Sequence, residues 1–241
     1  MKRGLPLIAA LALMAGSQVN AQDIAFGALG GLNYSIISVN VDPEPAGFES
    51  DNSNGLGFFL GGYGTYALQD GLGLRAELQL SFRGTRQKID ETDTFEFFGT
   101  TSTSEIESDI SNRDNWLVIP ILLDYEVNER LNLQAGPSLG FLFGAKQKIE
   151  STSTTTTTIA GETTSETFSF NGDGSSTSGR NGFEFGLALG GQYALNETMG
   201  LGLRYTRAFT DIASNNSSGG TTYKTKYNVI QVLFSYKLGE K

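Results

Sequence analysis

The sequence predicts an all-β fold: an eight-stranded antiparallel up-and-down transmembrane β-barrel with short periplasmic turns and long extracellular loops. Three observations predict it. Stretches of strict apolar–polar alternation recur along the chain, and the links between them alternate between short and long. One nine-residue corner also appears three times, as YALQDGLGL at 66–74, YEVNERLNL at 125–133 and YALNETMGL at 193–201. The copies start 59 and then 68 residues apart, so they are no fixed-period repeat of the solenoid kind.

The chain opens with MKRGLPLIAALALMAGSQVNAQ. Lys2 and Arg3 make a positive start, Leu5 to Ala15 an apolar run, and Val19-Asn20-Ala21 a small-residue cleavage site. That pattern predicts a signal peptide over 1–21, cut before Gln22, and one barrel domain over 22–241. The chain has no Cys, which leaves no site for a cysteine-linked lipid anchor and no disulfide framework.

The strands are then predicted in order at 23–40, 55–68, 71–89, 114–128, 131–149, 182–195, 199–212 and 226–238. The third shows the signal best. Leu72, Leu74, Ala76, Leu78, Leu80 and Phe82 alternate with Gly73, Arg75, Glu77, Gln79, Ser81 and Arg83. Period two over a dozen residues is a strand with one apolar and one polar face, whereas at helical spacing these leucines would scatter. The corners at 69–71, 128–130 and 196–198 are three-residue turns rich in Asn, Asp, Glu and Gly. The links at 41–54, 90–113, 150–181 and 213–225 are long and polar. Short turns on one side and long loops on the other are the mark of an outer-membrane barrel.

Tyr66, Tyr125 and Tyr193 end strands 2, 4 and 6, and Tyr236 takes the matching place on strand 8. Four descending strands thus set a Tyr at one level, as an aromatic girdle at the headgroup boundary requires. Parity assigns the faces. Leu139, Phe141, Phe143, Phe183, Phe185, Leu187, Leu189, Ile230, Val232 and Phe234 point to lipid. Arg75, Glu77, Gln79, Arg83, Gln134, Ser138, Glu184, Gln192, Arg204 and Gln231 point to the lumen. Strand 4, NWLVIPILLDYEV, is apolar on both faces, and Tyr125 alone sets its parity.

Composition excludes several functions. The predicted mature chain carries 15 Lys and Arg against 26 Asp and Glu, a formal charge of −11, which argues against nucleic acid as a partner. With no His, Ser–His nucleophiles and imidazole metal sites are out of reach. Glu77 and Glu184 are the conceivable carboxylate pair, but arginines at 75, 83 and 204 are expected to pair with them and fill the barrel. GALGG and LGGYG lack the strand–turn–helix setting of a phosphate site and read as small residues relieving crowding. No cofactor is expected.

Among the long links, 90–114 holds Asp90, Glu91, Asp93, Glu96, Glu105, Glu107, Asp109 and Asp114 against Arg113. It reads as a solvated acidic loop, or as a cation bridge to lipopolysaccharide phosphates. The Thr-rich stretch STSTTTTTIAGETTSETFSF at 151–170 reads either as strands protruding above the membrane or as a disordered loop. Arg207, on the outward face near Tyr205, reads as a snorkelling surface residue or as a lipid-phosphate contact.

GALGGLNYS, LRAELQLSFRG, WLVIPILLDYEVNERLNLQAGPSLGFLFGAK and GLRYTRAFTDI together resemble the PorT-like family of bacterial outer-membrane β-barrel proteins. The resemblance implies an eight-stranded barrel inserted by the outer-membrane assembly machinery. Most proteins of that family have no assigned activity, while the naming member serves a protein-secretion apparatus, so an envelope protein is one expected kind of partner. Three readings of function follow: a non-enzymatic barrel with a filled lumen acting through surface loops or as an envelope-assembly partner, a small channel or carrier for polar solutes, and a soluble ligand-binding barrel.

Overall fold

The computed structural model describes residues 24–42, 53–212, 217–218 and 221–240; the leader expected at 1–21 lies outside them. The described strands are β1 (Ile24–Asp42), β2 (Ser53–Gln69), β3 (Leu72–Phe97), β4 (Thr100–Asn128), β5 (Leu131–Ile159), β6 (Glu162–Ser175), β7 (Phe183–Ala194), β8 (Met199–Ala208), β9 (Ser217–Ser218) and β10 (Thr221–Glu240). Eight of them pair antiparallel in the order β1-β2-β3-β4-β5-β7-β8-β10, and β10 returns to β1 to close the wall. Closure removes the sheet edges that a membrane span cannot leave open.

Neighbouring strands come closest where lumen-facing side chains are absent. A Cβ added at Gly31 or Gly57 would collide with the carbonyl oxygen of Val232 or Phe82 on the neighbouring strand. Only glycine lets these strands approach so closely. Phe143 is an extra residue between the Asn115–Gly144 and Trp116–Leu142 pairs. This β-bulge switches the inward set of β5 from even to odd numbers, so that Leu142 and Ala145 both turn inward.

The structure revises the link at 90–113 and, of the two readings of the Thr-rich stretch, gives the protruding strands. Residues 90–113 are not a loop: β3 runs on to Phe97, turns at Phe98-Gly99, and β4 descends from Thr100 in unbroken register. The Thr-rich stretch likewise pairs as β5 and β6 around Ala160-Gly161. Phe98 and Ala160 have φ of 47° and 50°, and Gly99 and Gly161 75° and 88°. Positive φ at both central residues matches the strand twist and lets a two-residue turn continue a ladder.

β6 pairs with β5 and with no other described strand, and above the Asn54–Arg86 pair β3 meets no described residue of β2. The upper parts of β3, β4 and β5 with β6 therefore form a four-stranded sheet rising from one side of the barrel. Residues 100–110 of β4 alone span about 36 Å.

Candidate functional site

Two features stand out: the contents of the lumen and the projecting sheet. Alternation along each wall strand sends one residue in two inward, and ring closure brings residues remote in sequence together. Glu77, on β3, is the centre of the lower layer. Its carboxylate accepts from Arg75 Nε at 2.6 Å, from Gln79 Nε2 at 2.6 Å, and from Arg204 Nη1 and Nη2 at 2.6 and 2.9 Å. Arg204 Nη2 also donates to Gln134 Oε1 at 2.8 Å, and Gln134 Nε2 to Asp124 Oδ2 at 3.2 Å. On the far side Gln231 Nε2 bridges Gln79 and Asn33, and Asn33 Nδ2 reaches Ser81 Oγ at 2.9 Å. Arg75 stacks over the Tyr63 ring at 3.7 Å.

One level higher, Arg83 grips Glu184 through both terminal nitrogens, at 2.7 and 3.1 Å. This forked pairing gives two parallel charge-assisted bonds. The Arg83 guanidinium lies 5.2 Å from the ring centres of both Trp116 and Tyr227. Glu77 and Glu184 thus serve different arginines and make no shared carboxylate pair.

The upper lumen departs from the polar interior expected. Trp116, Val118, Ala208, Tyr227 and Val229 form a buried apolar cluster there, with Ile37, Leu142 and Ile212 against it. Their signal was present in the Tyr125 parity, which turns Trp116, Val118 and Leu122 inward; polarity alone does not show it. At the mouth Tyr227 Oη donates to Asp114 Oδ2 at 2.6 Å. Arg180, from the segment after β6, pairs with the same carboxylate and with Asn112 Oδ1 at 3.0 Å. Asp114, grouped by sequence with the acidic loop, is fully buried instead.

Arg75, Glu77, Gln79, Arg83, Glu184 and Arg204 are all buried. Gln192 stands apart: half-buried near the periplasmic turns, it donates to Ser235 Oγ at 2.8 Å and does not join the network. Tyr66, Tyr125, Tyr193 and Tyr236 face outward at that same end, paired across strands with Leu74, Leu133, Leu201 and Met199. Tyr66 is half-buried and the other three are exposed.

The projecting sheet has unlike faces. On the face continuing the outer wall, hydroxyls pair in rungs: Thr154–Thr167 at 3.2 Å, Thr156–Ser165 at 2.9 Å and Thr158–Thr163 at 3.0 Å. Arg86 holds Asp109 there, with Nε–Oδ1 at 2.8 Å, and keeps its carboxyl below the usual aspartate range. Asp90 and Glu107 sit directly opposite one another. Among the described residues no three carboxylates converge as a cation site would need. The face continuing the lumen side carries Ile89, Phe95, Phe97, Ile106, Phe168 and Phe170, by strand alternation. Phe95, Phe97, Phe168 and Phe170 are exposed.

A closed eight-stranded wall, apolar outside, filled inside and bordered by tyrosines at one end, defines an outer-membrane β-barrel. Residues 17–214 match the outer membrane protein beta-barrel domain family, and the chain belongs to that family. The protein accordingly resides in the bacterial outer membrane. Among curated proteins none matches the sequence significantly. Among solved structures, the attachment invasion locus protein Ail of Yersinia pestis aligns over 90% of this chain and 99% of its own, at 12% identity and a TM-score of 0.38. Neisserial surface protein A aligns over 88% and 97%, at 13% identity and a TM-score of 0.35. CarO of Acinetobacter baumannii aligns over 86% and 96%, at 13% identity and a TM-score of 0.32.

Proposed function

We propose that this barrel is a non-enzymatic, non-conducting outer-membrane protein that acts through its projecting sheet as a surface or envelope interaction partner. The observation that carries the reading is the contrast between a lumen filled by paired charges and aromatics and a sheet that extends far beyond the wall. An eight-stranded barrel has an interior only just wide enough for its side chains. Here those side chains include two ion-paired layers beneath an apolar cluster, an arrangement that opposes a continuous water path. The sheet instead presents Phe95, Phe97, Phe168 and Phe170 outside the barrel, where aromatic side chains are favoured contact residues. Its acidic residues at 90, 91, 93 and 96 guard the β3 edge against indiscriminate strand pairing.

The partners in this reading are outer-membrane lipid and lipopolysaccharide around the wall, the assembly machinery during insertion, and an envelope protein at the sheet. The PorT-like resemblance supports a finer version, in which that protein belongs to a secretion apparatus. Photo-cross-linking residues placed at Phe95 and Phe168 in intact outer membrane test it. Adducts with one defined partner, absent from the same probe at Ala67 beside a periplasmic turn, are expected. No adduct at either aromatic position, together with long-lived ion-selective openings in planar bilayers, would replace this reading with the channel.

A further inference from the structure

The lipid-facing wall formed by β4, β5, β7, β8 and β10 is not evenly covered. A groove of about 1170 Å³ runs along it, bordered by Tyr125, Leu133, Leu189, Tyr193, Leu203 and Tyr205. Its floor is Ala135 and Gly191, both on the outward parity, with Gly191 between Leu133 and Leu203 in register. The glycine there is not forced by the backbone. A Cβ at Gly191 would meet nothing closer than Asn132 O at 3.5 Å and Leu133 Cδ2 at 3.6 Å, which is ordinary contact. Neighbouring Gly190 and Gly202 are different: an added Cβ would lie 2.6 Å from Leu203 O and 2.9 Å from Gly191 O. A leucine-flanked position in a hydrocarbon-facing wall has room for a side chain and carries none.

At the periplasmic end of the groove stands a cation. Arg130, in the β4–β5 turn, directs Nη1 to Tyr193 Oη at 3.4 Å, and Tyr193 is itself part of the groove wall. From Tyr193 to Leu189 the groove follows about 13 Å of strand. That is close to one leaflet's half of a hydrocarbon core about 30 Å thick.

We infer that this groove is a binding site for one phospholipid of the periplasmic leaflet, an acyl chain lying over Ala135 and Gly191 and the phosphate on Arg130. Within the membrane an apolar depression is always bathed in acyl chains, and the rim arginine supplies the charge complement that selects an anionic headgroup and sets its depth. A second copy of the protein is the poorer occupant. An isologous dimer would set the depression against itself, and two hollows facing each other leave a void. The inference rests on the outer-membrane location and not on the role proposed for the projecting sheet, so either can fail alone.

Native mass spectrometry of the folded, full-length barrel in detergent with added phosphatidylglycerol tests it, with heat-modifiable gel migration confirming the fold of each variant. A one-to-one lipid adduct is expected. Gly191→Phe fills the groove and should weaken that adduct at least about tenfold, the equivalent of two buried methylenes. Arg130→Gln should weaken it about fivefold, while binding of diacylglycerol with the same chains stays unchanged. Because Gly191→Phe places an apolar ring where lipid already lies, it should fold normally; Ala135→Phe offers an independent filling of the same floor. Equal lipid retention by wild type and both filled variants would overturn the site. So would a lipid-independent protein dimer that the fillings abolish, which would assign the face to a second copy.

Discussion

Arg204 on β8 reaches across the barrel to Glu77 on β3, 127 residues earlier, and closes on both carboxylate oxygens at 2.6 and 2.9 Å. Arg75 takes the same carboxylate from its own strand. Two guanidiniums therefore face one buried carboxylate. Removing either arginine still leaves Glu77 one partner, whereas removing Glu77 strands both arginines. Arg83 and Glu184 form the simpler case, one cation on one anion.

That difference sets the first prediction. Arg83→Met or Glu184→Leu alone should destabilise the barrel by about 3–5 kcal/mol, since each leaves a buried charge without its partner. The double variant should be less damaging than either single change. Urea unfolding in lipid vesicles measures the cycle. Additive losses would mean that the two side chains are not coupled.

The filled lumen predicts electrical silence. The purified protein in planar bilayers should show negligible steady conductance, because the ion-paired layers and the Trp116–Tyr227 cluster interrupt any water path. Reproducible, long-lived, ion-selective openings whose selectivity changes in Arg75→Gln would contradict this.

Leu78 and Gln79 test the faces of the wall. Leu78 is 55% exposed on the outer surface, and Gln79 is fully buried inside. Leu78→Arg should impair insertion by roughly 2–4 kcal/mol if it lies at the midplane. A nitroxide at Leu78 should report lipid and one at Gln79 a confined polar interior. Equal water accessibility at both would overturn the register.

In the projecting sheet, Asp109 should titrate below the usual aspartate range, because Arg86 donates to it and favours the charged form. A depressed folded value means that the pair's support for the hairpin is complete above the pH where a free aspartate ionises. That support fades as pH falls through the depressed value. Carboxyl NMR of the folded protein should show the shift, and Arg86→Gln should return the midpoint toward normal. An ordinary midpoint unaffected by that substitution would refute the pairing.

Much of this architecture is legible in the sequence for a plain reason. A wall strand between lipid and lumen must alternate, and a charge facing lipid is costly, so the parity of Arg75, Glu77, Gln79 and Arg83 against Leu74, Leu78 and Leu80 determines both strand and face. The recurring corners and their tyrosines likewise determine which end carries the short turns. The projecting sheet was less readable, because polar Thr- and Ser-rich strands in water need no apolar alternation. There the pairs Phe98-Gly99 and Ala160-Gly161 are the local signal, and their positive φ became visible only in the folded chain. The contents of the lumen belong to tertiary structure. Period two states that Arg204, Glu77, Trp116 and Tyr227 point inward, but not at what height or toward which opposite strand. Closure of β10 on β1 and the stagger of the strands decide that, bringing Arg204 to Glu77, Arg83 to Glu184, and Trp116 edge-on to Tyr227 at 6.3 Å. The Phe143 bulge adds a reversal of parity in mid-strand, set by pairing with β4 and invisible in the alternation of β5 itself.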